Sequence, residues 1–114
     1  LQEAPLHVYS CDIKSLTGRE ILMNAGIKEV DCIIGSPPCQ SFSTAGKREI
    51  GDSRDALLWE FGRIVKEIQP KTWVMENVPG LKTKKLPDGT KVFDRFLDYM
   101  KTKNEFDLNS ILIK

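Results

Sequence analysis

The sequence predicts an α/β fold built on a parallel sheet with helices on its faces. Two observations carry that expectation. Short apolar runs rich in β-branched residues alternate along the chain with longer segments whose apolar residues recur at helical spacing, and the longer segments carry helix start and stop signals. The chain has 114 residues, enough for one domain and too few for two, and its 40% hydrophobic content can supply one layered core.

The elements follow in order. "PLHVYSC" reads as a strand ending near Asp12. A helix comes next, with Thr17 and Glu20 spaced as a capping box, Leu16 and Ile21 as a hydrophobic staple, and Gly26 where a left-handed C-cap is expected. "VDCIIG", residues 30 to 35, suits a strand buried on both faces. A helix from near Asp55 to Gln69 places Leu57, Leu58, Phe61, Ile64, Val65 and Ile68 on one stripe and stops at Pro70. "TWVMENV" is a third strand, and residues 92 to 103 form a helix with Val92, Phe93, Phe96, Leu97 and Met100 on one face. "SILI" is a fourth strand. The interval between the second strand and its helix, residues 36 to 54, is far longer than the usual 2 to 6 residues of such loops, a length that goes with function or with disorder, and its two glycines, adjacent cations and hydroxyls suit a lid that touches an anionic ligand.

Composition excludes several classes. Apolar runs such as "DCIIG" fall far below the roughly 20 residues that span a bilayer, and no secretory or transit signal opens the chain. Net charge is +1, with nine Lys/Arg against eleven Asp/Glu in residues 1 to 80 and eight against five in residues 81 to 114. That mild basic bias reads as a solvated loop around "KTKKLPDGTK". Three cysteines without CxxC spacing imply a reduced, cytoplasmic protein. Neither they nor the lone His7 have metal-ligand spacing, so no metal is expected.

Parallel sheets bind ligands at the carboxyl ends of their strands. The residues there are Asp12, then Pro37, Pro38, Cys39 and Gln40, then Glu76 and Asn77. Asp12 suits a helix cap as well as a ligand. Cys11 and Cys32, inside apolar strands, read as small buried hydrophobes, whereas Cys39 follows two prolines in a polar loop where burial does not account for it. Glu76 follows "TWVM", where a carboxylate needs a partner or must keep its proton. A cysteine hydrolase would need a histidine base, and His7 starts its strand about 16 Å from that edge. The other chemistry for a thiol beside a carboxylate is addition to an electron-poor heterocycle whose ring nitrogen the acid holds.

The motifs "DCIIGSPPCQSFS" and "DSRDALLWEFGRIVKEIQPKTWVMENVPGL" closely resemble the cytosine-5 DNA methyltransferases, with Pro-Cys-Gln and Glu-Asn-Val in the family's order. "CDIKSLTGREIL" looks like the family's Asp-Ile cofactor motif, so the resemblance runs from about residue 8 to 81. It implies a Rossmann-like parallel sheet of the S-adenosylmethionine-dependent type. Cys39 would add to cytosine C6, Glu76 would hold N3, and Asn77 would fix the carboxylate or the backbone turn. Asp12, Ile13, Pro38 and Leu57 would meet S-adenosylmethionine, though Leu57 also belongs to the helix stripe. C6 is inaccessible in a stacked duplex, so the base would be flipped out of double-stranded DNA. Gln40, Ser43, Lys47 and Arg48 are the candidates for DNA contact, the two cations toward phosphates.

The sequence departs from the family pattern in containing no GxG for the cofactor's amino acid portion. It also lacks the family's later Gln-Arg-Arg motif, the target-recognition domain and the last helix motif. In the family two further strands separate the Asp-Ile and Pro-Cys-Gln strands in space. The expectation is therefore a single partial catalytic domain over residues 1 to 114, its sheet lacking central strands and its exposed edges inviting self-association. A DNA methyltransferase, of the kind that forms the modification half of a restriction system, is the favoured reading. A tRNA cytosine-5 methyltransferase using the same cysteine and acid, and a non-catalytic assembly module, are the alternatives.

Overall fold

A computed structural model describes residues 6–38, 56–77, 79–86 and 88–101. Strand β1 (Cys32–Gly35) pairs in parallel with β2 (Thr72–Met75), setting Cys32 opposite Thr72 and Gly35 opposite Met75. Backbone bonds prolong the ladder at both ends, from Thr72 N–H to the Asp31 carbonyl (3.0 Å) and from Glu76 N–H to the Gly35 carbonyl (3.0 Å). The expected α/β arrangement is present, as a two-stranded sheet among the described residues.

Helix α1 (Gly18–Ala25) forms where its end signals place it. Glu20 N–H donates to Thr17 Oγ1 (3.1 Å) and Thr17 N–H to the Glu20 carboxylate (3.4 Å), satisfying two amides that have no partner inside the helix. Gly26 ends it at φ 67°, a left-handed conformation that a Cβ would disfavour.

Helix α2 (Ala56–Ile68) turns Leu58, Phe61, Ile64, Val65 and Ile68 inward as one buried stripe, with Leu57 at its half-buried margin. Gln69 follows in the left-handed region (φ 55°) and Pro70 ends the helix. Helix α3 (Val92–Lys101) buries Val92, Phe96 and Met100, four residues apart, and leaves Phe93 and Leu97 half-buried. The core lies between these two helices and one face of the sheet, closed by Leu81 from a short 3-10 turn over Pro79–Lys82. Its rings meet edge to face: Trp59 on Phe96 (centroids 5.8 Å), Trp73 on Phe96 (6.3 Å) and Phe61 on Trp73 (6.1 Å). Such pairs contribute roughly 0.5–1.5 kcal/mol beyond area burial.

Several expectations are corrected here. The strand expected at "PLHVYSC" is absent: Leu6 to Ser10 carry no regular structure, and Leu6 and Val8 are exposed. A strand needs a neighbour to satisfy its backbone, and the two described strands pair only with each other. Cys11 and Cys32 are exposed rather than buried. β1 is covered on one face only, since Ile33 packs against the core while Ile34 is 76% exposed. The "KTKKLPDGTK" segment is more than a solvated loop. Lys84 is buried, Lys85 and Lys91 form an antiparallel bridge, and Leu86 N–H bonds the Thr90 carbonyl at 2.7 Å. The fourth strand, the last residues of the third helix and most of the 36–54 loop lie outside the described residues. Among the described residues no helix is long and apolar enough to cross a membrane.

Candidate active site

The parallel register brings the ends of β1 and β2 level, so the residues leaving them are neighbours. Ser36 Oγ donates to Glu76 Oε2 at 2.6 Å, and Asn77 Nδ2 donates to the Pro37 carbonyl at 3.1 Å. Two side-chain bonds thus cross from one exit segment to the other, on top of the backbone bond from Glu76 to Gly35. The depth expected for Glu76 is corrected: its side chain is exposed, so burial does not demand the partner it has in Ser36, and Asn77 holds the chain at the Pro37–Pro38 step. Pro37 is buried and Pro38 exposed, and Glu76 opens to solvent.

What fixes this edge from below is Gly35. A Cβ built there would run into the Phe61 ring of α2, so only glycine lets the helix close onto the strand end that carries Ser36. Phe61 belongs to the buried core, so the edge is braced by that core.

Asp12 caps a 3-10 turn over Ile13–Ser15 through Lys14 N–H to Oδ1 (2.9 Å), while its carbonyl accepts from Ser15 Oγ (2.7 Å). The structural use of Asp12 is thus present, and its side chain is exposed. The turn docks on the middle of α2, where Arg63 Nη2 donates to the Ile13 carbonyl (2.9 Å). Arg63 also grips Glu67 with one nitrogen 2.9 Å from both oxygens, and reaches Glu60 with its Nε. Burial pulls the Arg63 guanidinium down, but these two carboxylates outweigh it and hold it above the ordinary arginine value. Glu67 in turn accepts the Gly18 N–H (3.0 Å), so α2 positions both the Asp12 turn and the start of α1.

The structure brings Glu76, Asn77 and the Pro37–Pro38 segment together and sets Asp12 and Ile13 on a different part of α2 from Leu57, which sits in its first turn. Cys39, Gln40, Ser43, Lys47 and Arg48 lie outside the described residues. Ser36 is the site residue that sequence reasoning missed. A lone serine after a strand looks like any turn former, and only the register puts it beside Glu76. A groove of about 670 Å³ runs along α1, lined in part by Leu22, Met23 and Ile27, away from the strand ends. Among the described residues no cluster of three or more His, Cys, Asp or Glu side chains could hold a metal ion.

The family described as C-5 cytosine-specific DNA methylase matches residues 6–112. This chain belongs to that family. Among its relatives is the type II methyltransferase M.AquIA of Picosynechococcus sp., 52% identical over 73 residues, which make up 61% of this chain and 29% of the relative. M.XorII of Xanthomonas oryzae pv. oryzae is 45% identical over 71 residues, 60% of this chain and 17% of the relative. M.FnuDI of Fusobacterium nucleatum is 42% identical over 96 residues, 78% of this chain and 28% of the relative. The chain therefore spans less than a third of the length of these methyltransferases. No solved structure matches it.

Proposed function

We propose that this cytosine-5 methylase segment carries the nucleophile and the ring-holding acid of a DNA cytosine-5 methyltransferase. Its substrate would be a cytosine flipped out of double-stranded DNA, methylated at C5 in the cytoplasm through a covalent adduct with Cys39. The observation that carries the reading is the cross-linked strand edge: Glu76 is bonded to Ser36, three residues before Cys39 in the chain. Three residues of extended chain span at most about 11 Å, a reach that supports reading the thiol and the carboxylate as parts of one site.

The chemistry assigns one job to each group. The Cys39 thiolate adds to C6, and the negative charge that builds on the ring is met at N3 by Glu76, as a proton or a strong hydrogen bond. S-adenosylmethionine, when bound, supplies an electrophilic methyl group to the activated C5. Loss of the C5 proton to a base then restores the double bond as the C6–S bond breaks and the thiolate leaves. Asn77 steadies the Pro37 carbonyl and so the approach to Cys39. Asp12, Ile13, Pro38 and Leu57 would hold the methyl donor. Asp12 and Pro38 are exposed and Ile13 and Leu57 half-buried, so each has surface to offer it. The active-site loop over residues 36 to 54, with Gln40, Ser43, Lys47 and Arg48, would close on DNA. The exposed Ile34 and Val74 support self-association of the isolated segment.

The test uses the complete enzyme that carries this segment, with DNA in which the target C5 hydrogen is replaced by fluorine. Fluorine cannot leave as a proton does, so enzyme and DNA should remain joined through Cys39 on denaturing gels. Cys39→Ala should abolish the adduct and methylation while leaving DNA binding largely intact. An adduct that persists in Cys39→Ala would remove the assigned nucleophile.

A further inference from the structure

We infer that Ser36 is a positioning residue for Glu76, selecting which carboxyl oxygen delivers the proton to the cytosine ring. The inference rests on the proposed reading of Glu76 as the N3 partner. A carboxyl group offers two oxygens, and general-acid work needs the proton on the one that faces the ring nitrogen. Ser36 Oγ donates to Oε2 at 2.6 Å. When the group is neutral, the oxygen that accepts a hydrogen bond is best the carbonyl oxygen, so the proton resides on Oε1. The serine hydroxyl therefore fixes both the carboxyl plane and the identity of the donor oxygen.

The anchoring of Ser36 supports this role. Its neighbour Gly35 is locked under Phe61 on one side and bonded to the Glu76 amide on the other. Donor and acceptor thus share one rigid strand edge, with no mobile linker between them. Stability does not explain the bond, because both side chains face solvent and an exposed hydrogen bond adds little net energy. What the bond provides is orientation, which matters to catalysis at displacements far too small to affect folding.

The test replaces Ser36 in the complete enzyme and measures steady-state methylation of duplex DNA. Ser36→Ala is expected to lower kcat roughly tenfold with KM for DNA changed less than about twofold, since the bond acts on the reacting geometry and not on DNA affinity. Ser36→Cys, similar in size but a weak donor, should behave like Ser36→Ala. Ser36→Thr keeps the hydroxyl and should restore most of kcat. In a Glu76→Ala background, where no carboxyl group remains to be positioned, adding Ser36→Ala should lower kcat by less than about twofold more. Unchanged kcat in Ser36→Ala, a loss that threonine does not restore, or an undiminished loss in the Glu76→Ala background would each overturn the inference. Glu76→Gln separates the two levels. If it is impaired while Ser36→Ala is not, the role of Ser36 alone fails, and if Glu76→Gln keeps full activity, the reading of Glu76 fails with it.

Discussion

Ile33 and Ile34 are the same residue type, one position apart in β1, and they have opposite fates. Ile33 faces Trp73 and the α2–α3 core, whereas Ile34 sits opposite Val74 on a face where the two are 76% and 52% exposed. Side chains alternate across a strand, so the sheet presents one packed face and one bare one. The packed face is filled by large rings and braces Gly35 and the strand end that carries Ser36. Two apolar faces with only one covered is the pattern of a strand meant to be sandwiched. Among the described residues nothing covers that second face, and the chain spans less than a third of its relatives' length.

The largest test of that contrast compares truncations on the two faces of the 114-residue chain. Phe96 is fully buried and touches both Trp59 and Trp73, so Phe96→Ala should cost about 3–5 kcal/mol in equilibrium denaturation. Ile34→Thr combined with Val74→Thr should change stability by less than about 1 kcal/mol, because neither side chain is packed. The same pair should lower light scattering at high concentration, as expected if the bare face drives self-association. Equal costs on both faces would show that the outer face is covered in solution.

The contrast also explains which parts of the molecule were legible in the sequence. Local signals were: Thr17, Glu20 and Gly26 bound α1, and the stripe from Leu58 to Ile68 buries as its spacing predicts. Glu76 and Asn77 stand at the strand end their position implied. Features that depend on a neighbour were not. "PLHVYSC" has strand composition but no partner strand beside it among the described residues, and an apolar run such as "VDCIIG" cannot reveal whether one face or two will be covered. Ser36 gained its role from a register set by pairing across forty positions, which no local window contains.

Next in size is a substitution where the packed face meets the strand ends that carry Ser36 and Glu76. Gly35→Ala would force a methyl group into the Phe61 ring, and the helix or the strand end must move. Overpacking of this kind costs about 1–3 kcal/mol. Because Ser36 and the Glu76 amide are attached to the same strand end, methylation by the complete enzyme should fall by more than the stability loss explains. The check is turnover measured well below the melting temperature, where the variant remains folded. Full activity there would mean that the edge is held from elsewhere.

The smallest effect concerns the end of α3, which contributes Phe96 and Met100 to the packed face. Asp88 accepts from the Thr90 hydroxyl and amide and, at 2.7 Å, from Arg95 Nη2 in the first turn of α3. The Thr90 hydroxyl, followed by the Thr90 amide, holds the Asp88 carboxyl below the ordinary aspartate value, with Arg95 adding less. A carboxyl whose value is lowered on folding contributes stability above its unfolded value, and that contribution fades as pH falls through the ordinary value toward the lowered one. Melting temperature measured against pH should therefore separate the parent from Asp88→Asn at neutral pH, with the gap closing below about pH 4. The group is fully exposed, so the gap should be small beside the loss from Phe96→Ala. A gap that widened on acidification would reverse the sign and show that the Thr90 and Arg95 contacts do not hold the charged form.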